Sequence, residues 1–217
     1  MPNRDYQNQR RDYSAPGLSK TQLNPSPFMQ FTQWMEDAIA SPIQDATAMS
    51  LATVDASGQP HNRIVLLKET TPNGFVFYTH YESAKGDEIT QNPKAALLFF
   101  WPELDRQIRM EGTLTKVSED TSKAYFESRP RESQLAALSS NQSHEVTSRA
   151  ALEKTFEQNA QKYAHQTIPH PQHWGGYCLH PHKFEFWQGR PNRLHDRFIY
   201  TPKTEHSTEW KIQRLSP

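Results

Sequence analysis

The sequence predicts a mainly β domain with inserted helices, its sheet mostly antiparallel, Greek-key-like and closed into a barrel. Three observations predict it. Short β-branched or apolar segments recur through the first half of the chain and again at its end. Tight turn signals, Ser57-Gly58 and Asn73-Gly74, join several of them, so that neighbours run as hairpins. Helical periodicities interrupt this meander without replacing it.

In chain order, residues 1–26 are polar, carry Pro and Gly and show no apolar period, which reads as a mobile arm. Its concentrated chemistry is Arg10, Arg11 and Tyr13. Residues 27–217 form one domain, with no internal repeat and no long linker. Phe28, Phe31, Met35 and Ala38 recur at helical spacing, predicting a first helix from Pro27 to about Ser41. Ala48 to Val54 and Asn62 to Lys68 pair around Ser57-Gly58, and Phe75 to Thr79 follows the second turn. Ser83 caps a helix that Pro93 stops. Ala95 to Trp101 is an unbroken apolar run, expected to be a central strand covered on both faces. Gln107 to Val117 is the next strand. Ser118 to Ser128 reads as a helix with Glu119 and Asp120 in its first turn, Arg129-Pro130 breaks it, and another short helix starts there. Arg149 to Ala164 presents Leu152, Phe156, Ala160 and Tyr163 on one face. Trp174 to Trp187, Asp196 to Thr201 and Glu209 to Leu215 are the last strands.

Composition excludes several classes. The 217 residues carry 24 basic and 24 acidic side chains, so no charge excess suggests a nucleic-acid partner. One cysteine, Cys178, excludes a disulfide framework or a CxxC motif and fits a reducing compartment. No stretch approaches the roughly 18 apolar residues of a membrane span, and the first residues lack a signal-peptide pattern, so a cytoplasmic protein is expected. A hydrophobic fraction of 35% is low for a self-sufficient globule, which favours a shared subunit interface.

The chemistry is concentrated in four places. Residues 187–197 hold Trp187, Arg190, Arg193, His195 and Arg197. Arginine forks and a tryptophan face suit a flat anionic ligand, and a histidine adds proton exchange or a hydrogen bond. A solvated hairpin with a basic turn is the bland alternative. Arg63 and Lys68, five apart, project from opposite faces of an unbulged strand and so serve two different anions, or else merely mark exposed strand ends. Tyr125 and Arg129 share a helix face, and Ser133 follows Pro130 in a first turn whose N–H groups attract anions. The three suit a phosphate monoester, or form a solvated helix junction. Lys85, Gln107, Gln142 and Ser143 are unremarkable singly. No Gly-rich phosphate loop is present, so side chains must hold any phosphate. His170, His173, His180 and His182 lack accompanying carboxylates or thiols at ligand spacing, which argues against a metal.

Together these segments resemble the pyridoxamine 5'-phosphate oxidase family. The likeness runs from Arg10-Arg11-Asp12-Tyr13 through Asp45 to Met49, Arg63 to Lys68, Phe77 to Thr79, Arg106-Gln107, Tyr125 to Gln134, Gln142-Ser143 and Trp174 to Gly176. It continues through Glu185 to Gly189, Arg193 to Arg197 and Trp210 to Pro217. The resemblance implies an FMN-binding split barrel working as a homodimer with flavin at the interface. The implied reaction is oxidation of pyridoxamine or pyridoxine 5'-phosphate by O2 to pyridoxal 5'-phosphate, releasing H2O2, and ammonia from the amine. It further implies FMN contacts from Arg63, Ile64, Val65, Leu66, Leu67, Lys68, Tyr78, Thr79 and Lys85, and from Gln107, Gln142, Ser143, Trp187 and Arg197. Lys68, Tyr125, Arg129 and Ser133 would take the substrate phosphate, and Arg193 and His195 would face the pyridine ring as the catalytic pair. Asp45, Arg10 and Tyr13 would help close the site. One departure stands out: Ala84 precedes Lys85 where the family usually has arginine. A related split-barrel oxidase with another ring substrate, a non-catalytic binder of FMN or pyridoxal phosphate, and a structural dimer without ligand are the rival readings.

Overall fold

The computed structural model describes residues 4–9, 11–204 and 207–217. The chain forms two compact units: residues 47–97 with 111–181, and residues 1–46 with 98–110 and 182–217.

The first unit is built on a hairpin. β1 (Ala48–Val54) and β2 (Pro60–Leu66) pair antiparallel from Ala48 opposite Leu66 to Val54 opposite Pro60. Gly58 closes the turn with φ +87°, a backbone region that costs glycine little. β1 alternates buried and half-buried residues, as a strand with one covered face does. A short strand, β3 (Glu69–Thr71), pairs with β4 (Gly74–His80); three polar residues carry too little pattern to reveal it in sequence. α2 spans Ala84–Gln91, β5 Lys94–Trp101, β6 Arg106–Lys116 and β7 Trp174–Gln188. The sheet order is β2-β1-β5-β6-β7-β4-β3, and β4 pairs antiparallel with the first half of β7.

β5 departs from expectation. Its burial alternates and Phe100 is 53% exposed, so the apolar run is covered fully on one face only. Continuity of apolar residues does not by itself distinguish a doubly covered strand from one whose second face is left open.

Three helices lie between β6 and β7: α3 (Glu119–Ser128), α4 (Arg131–Ser139) and α5 (Arg149–Lys162). Ser118 caps α3 by accepting the Thr121 N–H at 3.1 Å, and Arg129 leaves the helix with extended backbone before Pro130. Phe126, Leu135, Ile168 and Trp174 form the core beneath these helices. Phe156 and Ala160 of α5 and Tyr163 just after it pack on it, whereas Leu152, placed on the same face by its spacing, is 39% exposed.

In the second unit α1 (Pro27–Ala40) buries Phe31, Trp34, Met35 and Ala38, close to the predicted bounds. Phe31 meets Phe99 with ring centroids 5.2 Å apart, and Trp34 meets Phe186 at 5.3 Å. The second half of β7 pairs with β8 (Asp196–Pro202), which pairs with β9 (Trp210–Leu215). Residues 11–19 run without helix or strand, yet the Ser14 N–H donates to Asp105 at 3.1 Å and the Leu18 N–H to Asp196 at 2.9 Å. No helix among the described residues is long and apolar enough to cross a membrane.

Gly86 on α2 faces the Tyr81 carbonyl so closely that any Cβ would overlap it. Replacing Gly86 by alanine is expected to displace α2 and lower stability by about 2 kcal/mol or more, despite alanine's better helix propensity, read as an earlier denaturant midpoint.

Candidate active site

A cavity of about 940 Å³ opens in the first unit. Its walls come from β2, the segment after it, β4, the start of α2, the α3–α4 junction and the loop after α4. Arg63, Ile64, Val65 and Leu66 of β2 line it, as do Lys68, Tyr78, Thr79 and Lys85. Tyr125, Arg129, Ser133, Gln142 and Ser143 complete the set that sequence reasoning assembled. Leu67 does not line it: its side chain is 6% exposed, and its N–H donates to Thr47 O at 2.9 Å.

The expected division of Arg63 and Lys68 between opposite strand faces fails, because β2 ends at Leu66. The Lys68 N–H turns to Val76 O at 2.9 Å, and both cations line the same cavity. Ser133 also differs from expectation. Its N–H is occupied by Pro130 O at 2.9 Å, so its hydroxyl is the group left to offer.

One wall is a stack of rings. Tyr78 and Tyr125 lie 3.9 Å apart at 20°, and Trp174 is nearly parallel to both, 5.5 Å from Tyr78 and 6.2 Å from Tyr125. The Arg129 guanidinium sits 4.6 Å over the Trp174 ring. Trp174 was matched in sequence without a role; its β-strand context hid that it platforms an arginine. Burial pushes the Tyr78 phenol up to about 12, with Glu69 and Tyr125 adding, and raises Tyr125 against the pull of Arg129. Both phenols therefore stay protonated donors at neutral pH.

Arg129 carries the clearest signal of an anion site. Its Nη1 is buried with no hydrogen-bond partner among the described residues, and burial pulls its pKa down. A desolvated, unsatisfied guanidinium is costly unless an anion completes it. Lys85 behaves similarly. It is 8% exposed, and its pKa is lowered to about 8, by burial first and then by Arg63, with Glu88 opposing. Its Nζ donates to Gln142 Oε1 at 2.7 Å and Ser83 Oγ at 3.1 Å. Thr79 Oγ1 reaches the same Gln142 oxygen at 3.2 Å. Ser83 stands at the predicted N-cap, but its hydroxyl serves His80 O and Lys85 instead of the helix.

His80 also lines the cavity and stacks on His173, with ring centroids 4.2 Å apart. Burial and then His173 lower its pKa. With Glu82 these two present donor atoms within 4.8 Å of one another, but His80 Nδ1 accepts the Glu82 N–H at 3.2 Å. Among the other histidines weighed as ligands, His170 Nε2 meets Trp174 O at 2.8 Å and His180 meets Asn73 O and Thr115.

The remaining predicted residues lie in the second unit. Tyr13 packs edge-on against Trp187 at 5.5 Å and against His195 at 5.1 Å, and Trp187 and His195 are 4.6 Å apart. His195 Nδ1 accepts the Arg190 N–H at 3.1 Å, which assigns the ring proton of the neutral form to Nε2. Burial, then Arg193, lowers its pKa. Arg193 is exposed, and it follows Asn192 in left-handed backbone, φ +60° after +58°. Arg197 is held by Glu185 through Nε at 3.0 Å and Nη2 at 3.2 Å. Gln107 is half-buried near the start of β6 and Asp45 is exposed. Arg10 lies outside the described residues.

Stacked rings, several cations and a buried guanidinium suited to an anion define a protein that binds a planar, phosphorylated ligand. Comparison with known proteins narrows this class. Residues 35–163 match the pyridoxamine 5'-phosphate oxidase profile, and residues 174–217 match the pyridoxine 5'-phosphate oxidase C-terminal dimerisation region. The chain is 58% identical over 217 residues, all of both chains, to pyridoxine/pyridoxamine 5'-phosphate oxidase 1 of Hydrogenovibrio crunogenus. It is 50% identical to the Nostoc pyridoxine/pyridoxamine 5'-phosphate oxidase, covering 96% of each. Among solved structures it resembles PhzG from Burkholderia lata, in complex with tetrahydrophenazine-1-carboxylic acid. The TM-score is 0.86 at 27% identity, covering 94% of this chain and 100% of that one. A pyridoxamine 5'-phosphate oxidase-related, FMN-binding protein of Nostoc punctiforme shares the fold, with TM-score 0.70 at 21% identity, covering 88% of this chain and 98% of that one.

The chain belongs to the pyridoxine/pyridoxamine 5'-phosphate oxidase family. It is an FMN-dependent oxidoreductase with the FMN-binding split-barrel fold, and its C-terminal dimerisation region supports a homodimer. The donor set fits FMN: stacked aromatic rings line the cavity, and Lys85 and Arg63 supply charge for a phosphate.

Lys85 lines the cavity with a charge that titrates near neutral pH, so FMN binding there is expected to be pH-dependent. With its pKa at about 8, it loses its charge as pH rises through that value. A bound phosphate draws the pKa upward, so the FMN dissociation constant is expected to rise between about pH 8 and 10. In Lys85→Arg, which stays charged, fluorescence titration should find this rise absent.

Proposed function

We propose that the chain oxidises pyridoxamine and pyridoxine 5'-phosphates to pyridoxal 5'-phosphate, with O2 as final acceptor and H2O2, and ammonia from the amine, as by-products. The observation that carries this reading is the unpartnered Arg129 Nη1, buried against Trp174 in a cavity also lined by Lys68, Tyr125 and Ser133. That set suits a phosphate monoester: two cations, a protonated phenol and a hydroxyl.

In this reading Arg63, Ile64, Val65, Leu66, Tyr78, Thr79, Lys85, Gln142 and Ser143 hold FMN, with Leu67 supporting the wall from the core. Gln107, Trp187 and Arg197 are the further FMN contacts that the family resemblance implies. Bound FMN supplies the two-electron acceptor. Arg193 clamps the pyridine ring so that the substrate C4' carbon is held for reaction. His195 orients the ring through its Nε2–H, because its Nδ1 lone pair is engaged by the Arg190 N–H and cannot take a proton without breaking that bond. Tyr13 steadies His195 and Trp187 from the edge, and Arg10 and Asp45 contribute to closure. The flavin lies at the homodimer interface. Ile64 at 67% and Leu66 at 41% exposure leave an apolar cavity wall for a second protomer to cover. A cytoplasmic location fits the single, free Cys178.

The likeness to PhzG favours one second reading, an oxidase acting on a different ring system. The phosphate-suited set argues for a phosphorylated substrate instead.

Oxygen-dependent formation of pyridoxal 5'-phosphate from pyridoxamine 5'-phosphate, assayed with added FMN, tests the proposal. Product should require FMN and fall by two or more orders of magnitude in Arg193→Ala. FMN binding without product would move the reading to another ring substrate or to a non-catalytic flavin binder. Ala84 lines the cavity beside Lys85. Ala84→Arg should lower the FMN dissociation constant roughly tenfold, the worth of one charged hydrogen bond. An unchanged titration would remove position 84 from the phosphate site.

A further inference from the structure

Arg63 lines the cavity, and its hydrogen bonds show which of its edges is already in use. A guanidinium carries five N–H donors in one rigid plane. Nη1 donates to Leu51 O at 3.2 Å and to Thr53 Oγ1, and lies 3.4 Å from His61 O. Nη2 donates to Glu88 Oε2 at 2.9 Å. The Nε–H and the second Nη2–H have no partner among the described residues. These two form the guanidinium edge that matches two oxygens of a phosphate.

Thr53 closes the arrangement. Its hydroxyl accepts from Arg63 and donates to the same Glu88 oxygen, so the three side chains form a triangle. Thr53 is fully buried and Glu88 is 7% exposed. The other Glu88 oxygen lies 3.9 Å from His61 Nε2, and Glu88 also raises the pKa of Lys85. A buried carboxylate close to a phosphate site opposes the ligand's charge. Its presence there needs a compensating role, and the hydrogen bonds supply one: they hold the guanidinium in a single orientation.

We propose that Glu88 and Thr53 are positioning residues that fix Arg63 with its Nε–Nη2 edge open to the FMN phosphate. This rests on the assignment of FMN to the cavity. With alanine at position 84, the orientation of Arg63 carries more of the phosphate recognition. Neither residue touches the ligand; both act through Arg63.

The test measures dissociation constants of FMN and of riboflavin, which lacks the phosphate, by flavin fluorescence quenching with the full-length apoprotein. Glu88→Ala and Thr53→Val should weaken FMN about tenfold or more and change riboflavin less than about twofold. Glu88→Gln and Thr53→Ser, which keep an acceptor for Arg63, should stay within about threefold of the parent. FMN binding in Glu88→Ala that is unchanged or tighter would show Glu88 to be only an opposing charge and overturn the proposal. Equal weakening of FMN and riboflavin would show a merely structural role and overturn it too. If Glu88→Ala fails to fold, judged by circular dichroism, Thr53→Val against Thr53→Ser reads the same triangle. A parent protein that binds no FMN would overturn the cavity assignment itself, whereas FMN binding indifferent to all four substitutions overturns only the positioning role.

Discussion

Positive charge kept out of water is the constraint on which the rest of the cavity depends. Lys85 and Arg129 are both pulled down in pKa by burial, and each is tolerated for a different local reason. Lys85 is hydrogen-bonded to Gln142 and Ser83 and senses the carboxylate of Glu88, so its charge is shared among neighbours. Arg129 rests on the Trp174 face and keeps one nitrogen without a partner among the described residues. A folded chain that leaves such a group unsatisfied loses stability that a bound anion restores, so ligand binding and folding are linked. The ring stack follows from the same constraint, since aromatic faces accept a guanidinium without demanding hydrogen bonds from it.

The backbone arranges these groups with short, ordinary elements. Arg129 is placed by the end of α3, where the residue before Pro130 is forced out of helical conformation and the side chain is carried to the junction with α4. Lys68 is placed by the end of β2, where the chain leaves its pairing with β1 and bonds to β4 instead. Element termini thus supply Arg129, Lys68 and Lys85, while the interior of β2 supplies Arg63 together with the wall.

Much of this was legible in the sequence. Ala48 to Val54 and the helix from Pro27 declared themselves because their apolar residues repeat with the period of the element. The cavity residues were found as groups because Tyr125, Arg129 and Ser133 are close in sequence. What escaped notice depends on contacts distant in sequence. The opposite-face reading of Arg63 and Lys68 assumed a strand two residues longer than the one that forms. Glu88 looks like a solvated helix carboxylate until Thr53 and Arg63, 35 and 25 residues away, are brought to it. The partial exposure of β5 was invisible for a different reason: an apolar strand reads alike whether its second face meets its own chain or is left open.

Asn192 and Arg193, consecutive residues in left-handed backbone, determine how the arginine proposed to clamp the substrate is held. Each such non-glycine conformation costs on the order of 1 kcal/mol. The turn is therefore not where a free peptide of this sequence would settle. It is imposed by its anchors, the Arg190 N–H on His195 and the Arg190 guanidinium on Ala15 O. The aim of Arg193 is thus a property of its surroundings, and a loosened N-terminal segment would let the turn relax and turn the guanidinium aside without any change in the arginine itself.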